Sequence, residues 1–156
     1  MREPRERLMD VLEECLHDLH RQAVAIVDEH WAQVLKHERG AKSWEDKSRL
    51  QLASHRKGNH IQLKWIGIRW FGVGSNRKSV KVSIKRTGRD LSYSKAALNQ
   101  WARDWEIDIV METEAKLTSI RRQAAHYVKA ITSARFANAI ATKSDMPVED
   151  EEPGDD

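Results

Sequence analysis

IQLKWIGIRWFGVGSNRKSVKVSIKR, residues 61–86, reads as two strands around a glycine-rich turn. Ile61, Leu63 and Trp65 alternate with Gln62 and Lys64, a period of two that sends one set of side chains to each face of a strand. At Trp65, Ile66 and Gly67 the alternation slips, and Ile66, Ile68 and Trp70 become the apolar positions. A one-residue slip beside a glycine predicts a bulge. Gly72 to Asn76 is the turn. On the return, Val80, Val82 and Ile84 face one way, Ser79, Lys81, Ser83 and Lys85 the other, and Gly88 ends the strand. The expected product is a two-stranded hairpin with one apolar and one cationic face.

Working outward, the hairpin sits inside a longer stretch with an unusual charge balance. From Lys47 to Arg89 there are twelve Lys and Arg residues and no Asp or Glu. Like charges repel, so a dense cationic surface is best tolerated when an anionic partner neutralises it. A polyanion such as DNA does so and gains from releasing its own condensed counterions. The alternative is a solvated basic face without a specific partner. On the DNA reading, Lys64, Lys78, Lys81, Lys85 and Arg86 supply phosphate contacts, with Arg69, Arg77 and Arg89 flanking. A two-stranded ribbon fits the major groove, which lets Lys81, Ser83 and Lys85 reach base edges as well. Trp65, Trp70 and Phe71 lie among these cations. Such rings can stack on single-stranded bases. Their alternating apolar positions favour a place in the core, against Trp101 and Trp105.

The net charge of +3 hides this asymmetry. The last twelve residues hold seven acids and no Lys or Arg. Without them the chain has 27 basic and 17 acidic residues, a body of +10. The expected organisation is a single domain over residues 1–144 and a disordered acidic tail over 145–156. One cysteine, Cys15, rules out an internal disulfide framework and fits a reducing cytoplasm. The N-terminal residues lack the apolar run of a signal peptide, and no stretch approaches the length of a membrane span. A cytoplasmic protein without a membrane partner is expected.

Both flanks of the hairpin read as helix. Leu8, Leu12, Leu16, Leu19, Ala23, Ile26, His30 and Val34 recur at steps of three or four, one apolar stripe over residues 5–38. Pro4 suits the start and Gly40 the stop. Residues 41–58 are polar and aperiodic, and read as a loop or ragged short helix with Trp44 as a packing anchor. A second helix is expected over 94–141, capped by Ser92 or Ser94, with Leu98, Trp101 and Trp105 on one face. Further on, Val110, Leu117, Ala124 and Ile131 interleave with Thr113, Ile120, Tyr127 and Ala134 in a heptad pattern. The fold class is therefore α+β: two long antiparallel helices with an inserted basic two-stranded hairpin. The same seam would equally serve between protomers, which leaves a homodimer open.

The histidines, carboxylates and tyrosines are the candidates for catalytic chemistry. His17 and His20, three apart on a helix near Glu13, Glu14 and Cys15, would supply only two of the four ligands that zinc needs. No CxxC or HExxH occurs, and surface or helix-capping histidines are the better reading. Asp108, Glu112 and Glu114 sit on a charged helix where Lys116, Arg121 and Arg122 can pair with them. Gly72-Val73-Gly74 lacks the third glycine and following helix of a dinucleotide loop. Strand nicking needs a nucleophilic tyrosine beside a histidine cluster, and neither Tyr93 nor Tyr127 has one. No catalytic residue, metal or cofactor is expected.

The order of features has a counterpart among known proteins. A long helix and a Trp-rich basic hairpin are followed by Tyr93, Leu98, Trp105-Glu106, Glu114 and Ile120-Arg121. Over about residues 8–131 the chain resembles the MobI-type accessory proteins of conjugative plasmids and integrative conjugative elements. The resemblance implies a non-catalytic factor for conjugative transfer, one that acts at the origin of transfer and helps the relaxase initiate there. Double-stranded DNA at that origin and a relaxase are then the expected partners. Rival readings are a protein-interaction module built on the helical seam and basic hairpin, an RNA-binding factor, and, more remotely, a nuclease with diffuse carboxylates.

Overall fold

The computed structural model describes residues 2–86 and 90–145. Helix α1 runs from Pro4 to Arg39, at 1.5 Å per residue about 54 Å long. Pro4 stands in the first turn, where its missing N–H costs nothing, and Lys36 and Arg39 place positive charge at the negative end of the helix dipole. Its inward face is Leu16, Leu19, Ala23, Val27, His30 and Val34. Leu8, the first residue of the expected stripe, is exposed, as are Phe136 and Ile140 at the far end of the other long helix. Both helix ends run on past the shared core.

The expected second helix is broken in two. Helix α2 is short, Lys95–Asn99, with Ser94 Oγ accepting from Ala97 N as its cap. Helix α3 spans Ile107–Asp145. Between them the Glu106 carboxylate accepts from the Arg103 backbone N–H at 2.8 Å, the glutamate half of a capping box. That bond starts α3 afresh, so Leu98, Trp101 and Trp105 do not share one helix face. The heptad residues Val110, Thr113, Leu117, Ile120, Ala124 and Ile131 are all buried. His30 against Thr113, and Cys15 beside Tyr127, show that α1 and α3 run antiparallel. A fully buried leucine such as Leu16 or Leu117 stabilises such a seam by about 1.5–3 kcal/mol.

The sheet has three antiparallel strands in the order β1-β2-β3, not two. Strand β1, Leu50–Lys57, occupies part of the stretch expected to be loop. It turns through Gly58, at φ +59°, and Asn59 into β2, His60–Phe71. Lys57 pairs with His60, so the loop is two residues long with glycine first, a common tight hairpin. Strand β3, Lys78–Ser83, returns after a turn in which Gly72 and Gly74 take φ of +86° and +64°.

The expected bulge is absent from β2, which pairs through Gly67 on both sides without a skipped residue. Ile61, Leu63, Trp65 and Gly67 therefore all point to the helices. The apolar pattern slips there because Gly67 leaves its place to another side chain. A Cβ on Gly67 would lie 2.3 Å from Trp101 Cδ2, so the indole fills the position. Ile66, Ile68 and Trp70 consequently face away from the helices.

The two strand pairings are offset along β2. Strand β1 covers His60 to Gly67, while β3 covers Ile66 to Phe71. The first half of β2 is held between β1 and the helices, and Leu50, Leu52, Leu63 and Trp65 are buried there. Its second half, with β3, projects as a ribbon. Trp70 is 47% exposed, Phe71 51% and Val80 49%, so this ribbon is open on both faces. The placing of Trp70 and Phe71 in the core is thus corrected, whereas Trp65 is core. The acidic tail lies outside the described residues from 146 onward, as does Gly88.

Candidate nucleic-acid interface

The structure spreads the expected DNA-binding residues along this ribbon and its base. Lys64, on β2, is exposed on the face turned from the helices. On the same face Lys81 stands opposite Ile68, and Ser83 opposite Ile66. Lys78 is exposed opposite Phe71 on the other face. Lys85 and Arg86 follow β3 and are exposed, Arg86 with its guanidinium 6.0 Å from the Tyr93 ring. Arg89 lies outside the described residues. Among the described residues none of these cations forms an ion pair with a carboxylate.

Arg69 and Arg77 are placed differently from a simple flanking role. The Arg77 guanidinium lies 3.8 Å from the centroid of Trp44 and 4.8 Å from that of Trp70. Arg69 lies 5.6 Å from Trp101. A guanidinium stacked on an indole keeps its in-plane N–H groups free, so these contacts orient the cations without consuming their donors. Trp44, expected as a packing anchor, is 54% exposed.

Where β1 begins, these side chains border an open cleft of about 500 Å³, lined by Trp44, Glu45, Arg49, Ile68, Arg69, Trp70, Trp101 and Arg103. Arg103 Nε donates to the Lys47 carbonyl at 3.1 Å. The Nε of Arg49 is buried and has no hydrogen-bond partner. Burial, and then the like charge of Arg103, pull Arg49 below the usual guanidinium range, while Glu106 opposes them. Sequence reasoning singled out neither Arg49 nor Arg103 as binding residues. The available signal was composition: each of Trp44, Trp70 and Trp101 has an arginine within five positions.

A second group of polar residues lies inside the protein and holds the interface in place. Glu114 is buried and accepts from Arg121, from Trp65 Nε1 at 3.2 Å and from Thr118. Arg121 also donates to the Leu63 carbonyl through Nη2 at 3.0 Å and to the Leu91 carbonyl at 3.1 Å. Leu91 takes a φ of +64°, a left-handed conformation that a leucine rarely adopts, and Arg121 fixes its carbonyl. Glu106 is fully buried and accepts from Ser48 Oγ at 2.6 Å as well as from Arg103 N. Burial pushes the Glu106 carboxyl above its ordinary range. Trp105 stacks on His37 at 3.8 Å and donates to the Asp46 carbonyl at 2.9 Å. Tyr93, Trp105, Glu106, Glu114 and Arg121, which carry the resemblance in sequence, are thus framework residues. They clamp α3 to β2 and to the segments 44–49 and 91–106.

The remaining candidates are resolved locally. Glu112 meets Lys116 at 3.8 Å on the surface, and Glu114 pairs with Arg121, as a charged helix predicts. His17 Nδ1 accepts from Arg56 at 3.0 Å, which sets a cation beside the His17–His20 pair. His30 is a core residue, with its ring edge-on to Trp65.

No curated protein and no solved structure matches the chain. The family model described as MobI protein matches residues 19–135, from the middle of α1 through the whole sheet and the interface to the last buried turn of α3. The chain therefore belongs to the MobI family, which ties it to plasmid mobilisation.

Proposed function

We propose that the protein is a non-catalytic DNA-binding factor that acts at an origin of transfer, where it helps a relaxase to assemble. The observation that carries this reading is the projecting β2–β3 ribbon. It is exposed on both faces, carries Arg69, Lys78 and Lys81, and has no acid in its sequence from Ile68 to Ser83. A two-stranded ribbon is narrow enough for the major groove, and phosphate contacts from its lysines would supply the sequence-independent affinity. Lys81 and Ser83, on one face with Ile68 and Ile66, would meet base edges. The long helices then serve as a rigid handle that presents the ribbon and leaves a surface for the relaxase. The burial of Tyr93, with the Arg121 guanidinium 5.1 Å from its ring, supports a non-nicking role.

A mobility-shift assay tests this directly. Transfer-origin duplex should be retarded at lower protein concentration than random duplex. Changing Lys78, Lys81 and Lys85 together to Ala should remove most of the affinity for both, with helicity unchanged, because these side chains bury little surface. Unchanged affinity of the triple variant at ~150 mM salt would remove the ribbon from the DNA contact.

A further inference from the structure

The cleft at the base of the ribbon has features that groove binding does not use. Trp44 and Trp70, on either side of Arg77, offer flat apolar surface to a ligand. Arg77 covers one face of Trp44 and of Trp70, yet both rings remain about half exposed. Arg49 presents a buried donor without an acceptor, and Arg103 stands near enough to feel its charge. Glu106 lies behind this pair, but its two oxygens already accept from Ser48 and from the Arg103 backbone. Glu45 also lines the cleft, and Glu38, which lines the adjoining hollow, accepts from Ser48 N.

Two kinds of contact are therefore on offer: guanidinium donors for a phosphate, and flat aromatic surface for a π system. A base inside a duplex shows a protein only its edges, so duplex DNA cannot use the indoles. A free phosphate would not use them either. An unpaired nucleotide uses both, by stacking and by charge. The volume of about 500 Å³ falls within the roughly 300–1,000 Å³ of small-ligand sites. Ile68 and Trp70 belong to the ribbon and also border the cleft, so a strand leaving a ribbon-bound duplex meets it directly.

We infer that this cleft holds one unpaired nucleotide of a DNA strand, with its phosphate on Arg49 and Arg103 and its base against Trp70. The inference rests on the DNA-binding reading above. It adds a second mode, in which the protein recognises the junction between duplex and single strand. The cleft would then hold an opened site open.

The test uses the full chain and three probes: a blunt duplex, the same duplex with a single-stranded thymidine overhang, and thymidine monophosphate. The overhang should tighten binding about tenfold, the scale of one base stacked on an aromatic ring, and should quench tryptophan fluorescence. Trp70→Ala and, separately, Arg49→Gln should lose that gain, read as the ratio of overhang to blunt affinity, and Arg49→Gln, which lies off the ribbon, should retain the affinity for blunt duplex. Trp70→Phe should keep most of the gain. Trp70 is half exposed, so its variants should fold, and circular dichroism checks this. Normal blunt-duplex binding without an overhang gain overturns the cleft proposal and leaves the ribbon reading standing. A gain that survives both variants places the single strand elsewhere and also overturns it. Monophosphate binding as tight as the overhang would make the cleft a free-nucleotide site, again against the proposal. Loss of all DNA binding in the wild type overturns both readings.

Discussion

His30 carries a charge decision into the middle of the core. Its Nδ1 lies 3.0 Å from Thr113 Oγ1, and its ring packs edge-on to Trp65 at 5.1 Å. Burial lowers its pKa from 6.5 to about 4. The unfolded chain then binds a proton that the fold refuses. The His30 contribution is complete above pH 6.5 and is lost as the pH falls towards 4. The full difference is worth about 3 kcal/mol. Urea midpoints should therefore hold steady above pH 7 and drop between pH 6.5 and 5. In His30→Gln, which has no proton to gain, the drop should be shallower, and an identical slope would deny His30 the role. Glu114 is the complementary case of a buried charge already answered by its partners. Glu114→Ala would leave the Arg121 guanidinium buried without its carboxylate and Trp65 Nε1 without an acceptor. Breaking one side of such a pair costs about 3–5 kcal/mol. Chemical denaturation should show that loss, and a change below about 1 kcal/mol would mean that the network relaxes around the gap.

The seam between α1 and α3 is the strongest element-level feature, and it was legible from spacing. The heptad Val110, Leu117, Ala124 and Ile131 is buried along its whole length. Leu117→Asp or Ile120→Asp would put an unpaired carboxylate into it and should cost several kcal/mol. Thermal melts that survive both changes would assign this face to an outside partner. Helix α1 was equally legible, since Pro4 and the apolar stripe mark it without help from tertiary contacts. The β2–β3 ribbon and its glycine turn were read from alternation and turn chemistry. Strand β1 was not, because only Leu50 and Leu52 are apolar at its inward positions. Ser54 and Arg56 complete that face, and Arg56 is satisfied by His17 and the Gly58 carbonyl, contacts that exist only once the sheet has formed. The break before α3 was hidden for a related reason. Trp101 and Trp105 keep helical spacing, but the Glu106 cap on Arg103 lacks the Ser, Thr, Asp or Asn that normally announces a helix start. Of the interface, the ribbon cations were visible as charge. The Arg49 and Arg103 cleft was not, because it joins residues more than fifty positions apart.

At the scale of the whole molecule, the framework and the interface divide the chain's chemistry between them. The buried glutamates and Arg121 tie sheet to helix, and the unpaired cations are left outside on the ribbon. On the proposed reading, a protein so arranged would mark a DNA site without altering it. Its affinity should be electrostatic in large part: log affinity against log salt should fall with a slope near −0.9 per phosphate, about −4 to −5 for five contacts. A flat dependence would indicate an apolar protein partner instead. In cells, deleting the protein should stop transfer of the element that encodes it and leave growth unaffected. The ribbon variant, with the fold intact, should behave like the deletion, because marking the site is then the whole of its part in transfer. Cutting needs an activated nucleophile at the phosphate, and Tyr93 is enclosed beneath Arg121. Purified protein incubated with supercoiled transfer-origin DNA and magnesium or manganese should therefore leave it supercoiled. Nicked circles that disappear on mutating Tyr93 or Tyr127 would replace the marking role with an enzymatic one.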